Sequence, residues 1–171
     1  MPTTKTQTGQ EPQKVRNTAV QMARKWAKRP QFRPVALAFL APWAPDSATT
    51  GEDGGWILEA AQNYALNGWR FVREPAGEEF AGEVVLSPCI TIQLNAGDCD
   101  DFATLLASVL KSIGVRCCIG WMSTGPASAH ILFCCQNGWY SDPESPFYIV
   151  DPNLKNPVNT SSVKGIHWAE V

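Results

Sequence analysis

Apolar side chains recur along this chain with two different periods, and the switch between them predicts its layout. Phe102, Leu105, Leu106, Val109, Leu110 and Ile113 repeat at helical spacing, the pattern of a helix with one face in a core. Asp98 suits the N-cap, Asp100 and Asp101 suit the positive end of the helix dipole, and Gly114 suits the residue after the C-cap. Beyond Gly114 the apolar runs shorten to strand length, over residues 115–122, 130–135 and 147–150. Upstream, Val15, Ala19, Met22 and Trp26 predict a helix over residues 14–29, ended by Pro30. Ile57, Ala60, Ala61 and Tyr64 predict another over residues 56–67, stopped by Gly68, with a short strand over 69–72. Residues 73–98 read as loop. Helices first and strands later predict an α+β fold with an antiparallel sheet.

Proline changes the picture near the N-terminus. Pro30, Pro34, Pro42 and Pro45 flank and interrupt the apolar run 35–40, so residues 30–46 are expected to be an extended arm. The expected division is therefore residues 1–46, a polar tail, helix and proline-rich arm, and residues 47–171, a catalytic-type domain. The arm carries Val35, Leu37, Phe39, Leu40 and Trp43. An apolar surface of that kind marks an interaction site, so part of residues 1–46 is expected to contact a neighbouring chain.

Composition narrows the class. Of 171 residues, 44% are hydrophobic and 18% charged, as in a globular protein. A net charge of −2 gives no ground for expecting a nucleic-acid partner. No run of 18 apolar residues exists, so no membrane span is expected. The first ten residues are polar, without the apolar stretch of a signal peptide. The six cysteines are therefore expected to be reduced thiols in a cytosolic compartment. No cofactor is expected. Cys117, Cys118, Cys134 and Cys135 read as small buried hydrophobes, the alternative being a four-thiolate metal site across two strands.

The candidate chemistry centres on Cys99. At the first turn of a helix, unpaired backbone N–H groups and the dipole favour a thiolate and can hold an oxyanion. Asp100 and Asp101 oppose thiolate formation, so a cationic partner is required. Only two histidines exist. His130 opens an apolar strand that can pack against the Cys99 helix and form a thiolate–imidazolium pair. His167 reads as a surface or packing residue. A carboxylate to orient the imidazole is offered by Asp151, after an apolar run, or by Asp142 in a similar local setting.

Residues 97–107, Gly-Asp-Cys-Asp-Asp-Phe-Ala-Thr-Leu-Leu-Ala, resemble the nucleophile motif of the transglutaminase-like superfamily of cysteine enzymes. Residues 74–79 and 87–91 resemble the linking segments of bacterial and phage members, and 128–130 and 148–153 resemble the family's His and Asp-Pro strands. The resemblance spans roughly residues 55–155. It implies a papain-like core, a Cys-bearing helix on an antiparallel sheet. It implies Cys99 as nucleophile, His130 as base and Asp151 as orienter of a thiol peptidase, amidase or acyl transferase acting on a protein or peptide. Gln93 and Trp69 are candidate oxyanion donors. The alternative is an assembly protein of a phage particle on the same fold, joined to neighbouring virion chains through residues 1–46.

Overall fold

The computed structural model describes residues 10–45, 55–72, 85–126, 128–139 and 143–171. Its helices are α1 (Gln10–Ala27), α2 (Phe32–Leu40), α3 (Ile57–Asn67), α4 (Pro88–Leu94) and α5 (Cys99–Ser112). Its strands are β1 (Arg70–Phe71), β2 (Ala96–Gly97), β3 (Cys117–Gly125), β4 (Ser128–Gln136), β5 (Phe147–Val150), β6 (Val158–Asn159) and β7 (His167–Glu170). Five strands form an antiparallel sheet in the order β6-β5-β4-β3-β7, and β1 and β2 make a small parallel pair. The α+β class expected from the two periods is the class observed.

Helix α5 is the axis of the core. Its residues from Asp100 to Leu110 are all buried, because β3 and β4 cover one side and α1, α2 and α4 cover others. Its start is fixed by a reciprocal capping box. Asp101 N–H donates to Asp98 Oδ1, and Asp98 N–H donates to Asp101 Oδ2. Asp101 Oδ1 also accepts from Leu86 N–H at 2.8 Å, tying the preceding loop to the same turn. Gly97 is required by this arrangement, since a Cβ there would stand 2.6 Å from Asp101 Oδ2.

The expected extended arm is corrected. Residues 32–40 are helical, with Phe32, Ala36 and Leu40 buried four residues apart. Pro34 is tolerated because it lies in the first turn, where a backbone N–H has no partner within the helix. Pro42 then falls in a 3₁₀ turn, Ala41–Trp43, that ends the helix. On α1 the buried seam is Ala19, Val20 and Ala23, rotated from the expected one through Met22, and its small side chains let α1 approach α5 closely. The buried groups of α1 and α2 belong to the same core cluster as α5 and the sheet. Phe39 and Trp43 also pack there, while Val35 and Leu37 remain exposed.

A second correction concerns residues 73–98, read as loop. Residues 88–94 form α4, entered through Pro88 and left through Asn95 in the left-handed conformation at φ 47°. Residues 73–84 lie outside the described residues.

The paired cysteines divide between the two faces of the sheet. Cys117 and Cys135 face α5, and Cys117 Sγ lies 3.7 Å from the Ala107 carbonyl that accepts from it. Cys118 and Cys134 face the opposite side, among Leu132, Ile149, Phe147 and Trp168. Four thiolates on two faces cannot share one metal ion, so the four-thiolate alternative is excluded geometrically.

Candidate active site

Cys99, His130 and Asp151 line one cavity of about 220 Å³, together with Trp69, Phe71, Phe102, Pro152 and Asn153. Three separate elements deliver the three polar groups. The capping box sets Cys99 at the first turn of α5, half-buried. Strand β4 carries His130, opposite Met122 of β3. Asp151 follows the last residue of β5, which pairs with β4 through Phe133 and Val150.

His130 Nε2–H donates to Asp151 Oδ2 at 2.7 Å. That bond engages Nε2 and leaves the second ring nitrogen, Nδ1, without Asp151 as a partner. The imidazole keeps 26% of its side-chain surface exposed, so a substrate can reach it, while the carboxylate keeps only 5%.

Asp151 is held as an anion against its surroundings. Burial pushes its carboxyl up, but bonds from His130 and Asn153 and attraction to the imidazole together outweigh this, leaving it below its ordinary value of 3.8. Asn153 contributes twice, through its backbone N–H and its side-chain amide, each 2.8 Å from Asp151 Oδ1. With Oδ1 doubly occupied, Oδ2 is fixed toward His130.

Two supporting residues were not singled out from the sequence. Asn153 was visible as Asp-Pro-Asn, a tripeptide suited to an Asx turn. Gln62 is buried on α3, and its Nε2 donates to the Leu154 carbonyl at 2.7 Å and to the Asp151 carbonyl at 3.4 Å. A glutamine inside the apolar stripe of a predicted helix was its signal. Phe71, 59% exposed, forms part of the cavity wall. Of the two oxyanion candidates, Trp69 lines the cavity, and its indole N–H is buried without a hydrogen-bond partner among the described residues. Gln93 is exposed on α4 and does not line the cavity. Asp142 lies outside the described residues. His167 is exposed on β7 and stacks on Trp121 with ring centroids 4.2 Å apart.

Asp98, Asp100 and Asp101 place carboxylate oxygens within 4.8 Å of one another. Asp98 and Asp101 are engaged in the capping box, which accounts for their proximity.

The fold is transglutaminase-like and papain-like, a Cys-bearing helix packed on an antiparallel sheet. LapG of Legionella pneumophila superposes at a TM-score of 0.54 with 19% identity, covering 94% of this chain and 83% of LapG. EGTA-treated LapG gives the same TM-score and identity over 94% and 81% of the two chains. A candidate cysteine protease from Cytophaga hutchinsonii gives a TM-score of 0.45 and 14% identity over 82% and 48% of the two chains. No family model matches the sequence, and no curated protein matches it.

Proposed function

We propose that this chain is a thiol-dependent acyl-transfer enzyme acting on an amide in a protein or peptide. Cys99 is the nucleophile, His130 the base and Asp151 the group that orients it. The observation that carries this reading is the 2.7 Å bond from His130 Nε2 to Asp151, in a cavity that Cys99 also lines.

The chemistry follows from that arrangement. Nδ1 of His130 takes the Cys99 proton, and Asp151 stabilises the resulting imidazolium across Nε2. The thiolate adds to the amide carbonyl. The positive end of α5 serves the developing oxyanion. The tetrahedral adduct expels the amine, which takes the proton from His130, and leaves an acyl-thioester on Cys99. Attack by water completes hydrolysis, and attack by a second amine completes transamidation.

Synthesis in a reducing cytosol accompanies this proposal, since six unbridged cysteines suit such a compartment. No helix of the described residues is long and apolar enough to cross a membrane. Nothing among the described residues favours the phage-assembly reading over the enzyme.

The test is selective alkylation of Cys99 by iodoacetamide near neutral pH, followed residue by residue by mass spectrometry. Cys99 is expected to react first, and His130→Ala to slow it without unfolding the chain. Equal labelling of Cys99 and Cys89, unchanged in that variant, overturns the proposal.

A further inference from the structure

The far face of the sheet holds a pair of thiols that the proposed reaction does not use. Cys118 on β3 stands directly opposite Cys134 on β4. The neighbouring ladder bond runs from Gln136 N–H to the Arg116 carbonyl at 3.0 Å. Bonded and non-bonded pairs alternate along an antiparallel ladder, so Arg116/Gln136 and, two residues on, Cys118/Cys134 are bonded pairs. Residues so paired have Cα atoms about 5.5 Å apart, inside the roughly 4.4–6.8 Å range that a disulfide spans. Both side chains point to the same face, into one apolar cluster.

The surroundings differ for the two sulfurs. Cys134 is buried, at 1% exposure, whereas Cys118 is half-buried and open to a small reagent. Cys118 is flanked on the same face by Arg116, whose Nε holds Glu170 Oε1 at 2.8 Å. The adjacent Cys134 thiol, with the guanidinium, holds the Cys118 thiol below its ordinary value despite burial and Glu170. The inner pair, Cys117 and Cys135, is also directly opposite, at a non-bonded position of the ladder, but has no exposure, and burial pushes both thiols up. Access and ionisation thus single out Cys118 as the reactive thiol, while burial pushes its partner Cys134 up.

We propose that Cys118 and Cys134 form an oxidisable dithiol, a peroxide-modification site separate from Cys99. The Cys118 thiolate attacks one oxygen of hydrogen peroxide, the O–O bond breaks, and Cys118 sulfenic acid and hydroxide form. The Cys134 sulfur then attacks the Cys118 sulfur. The S–O bond breaks, the Cys134 proton goes to the departing oxygen as water, and a disulfide remains. Each sulfur is oxidised by one electron, and the peroxide is reduced to water and hydroxide. The product staples β3 to β4, the strand that also carries His130.

The experiment treats the reduced full chain with hydrogen peroxide, alkylates the remaining thiols and maps the digest without reduction. A peptide joining Cys118 to Cys134, lighter by two hydrogens, is expected in the native chain and equally in Cys99→Ser. Cys134→Ala is expected to accumulate a Cys118 sulfenic acid that dimedone captures. Cys118→Ser, altering the more exposed partner, is expected to leave Cys134 reduced. Linkage of Cys118 to any other cysteine, or a Cys118 that stays alkylatable after Cys99 is consumed, overturns the proposal. So does oxidation of Cys134 in Cys118→Ser.

Discussion

Nε2 of His130 and Oδ2 of Asp151 meet at 2.7 Å across 21 residues of sequence, because β4 and β5 are neighbours in the sheet. That bond engages Nε2 and leaves Nδ1 as the ring nitrogen that Asp151 does not hold. It also makes the imidazole's proton position depend on a carboxylate that Asn153 holds from the other side.

Asp151→Asn tests the orientation directly. An amide of the same shape can present N–H where the carboxylate accepted, which favours the wrong imidazole tautomer. Turnover of a peptide substrate is expected to fall by about a hundredfold or more with KM little changed. Steady-state kinetics with a folded variant, checked by circular dichroism, measures it.

The same carboxylate sets an acid limit on stability. Its folded pKa lies below its ordinary 3.8, so the charged form is favoured by folding. The contribution is present in full above the unfolded value and is lost as pH falls through the folded value. Denaturant midpoints measured between neutral pH and pH 3 are expected to drop at the acid end. Asp151→Asn is expected to be less stable than the native chain at neutral pH, the difference narrowing at the acid end.

Phe71 offers an apolar wall beside Cys99 while remaining 59% exposed. Phe71→Ala is expected to raise KM several-fold for peptides with an apolar side chain near the cleaved bond. Reaction of Cys99 with iodoacetamide, too small to need that wall, is expected to stay the same. A panel of peptides differing at one position, compared in the two proteins, reads the effect.

Leu40 is fully buried at the end of α2, in the same cluster as α5. Leu40→Ala is expected to cost about 2–5 kcal/mol, the usual range for a buried leucine. Removing residues 1–46 deletes Ala19, Val20, Ala23, Phe32, Ala36 and Leu40 from that core together. The truncated chain is expected not to fold, which thermal unfolding and circular dichroism will show.

Much of the fold was legible because its central element is local. The periodic stripe of α5, Asp98 before it and the strand-length runs after it each act within a few residues. Together they imply a helix on an antiparallel sheet. The two misread segments show the limit. Residues 32–40 carry a proline that suggests extension, yet its place in a first turn removes the penalty, and burial of Phe32, Ala36 and Leu40 on other elements stabilises the helix. Residues 88–94 are too short for helical periodicity to show.

For the site, the sequence by itself determined the chemistry of one position. A cysteine at the first turn of a capped helix is set by neighbouring residues, Gly97, Asp98 and Asp101, and is readable from them. Its companions were decided by strand order. β4 lies between β3 and β5, so His130 reaches Asp151, and Gln62 and Asn153 fix the turn after β5. Strand alternation likewise put Cys118 and Cys134 on one face and Cys117 and Cys135 on the other. Such pairings depend on register between segments distant in sequence. No local propensity encodes that register, which emerges only when the apolar faces are buried together.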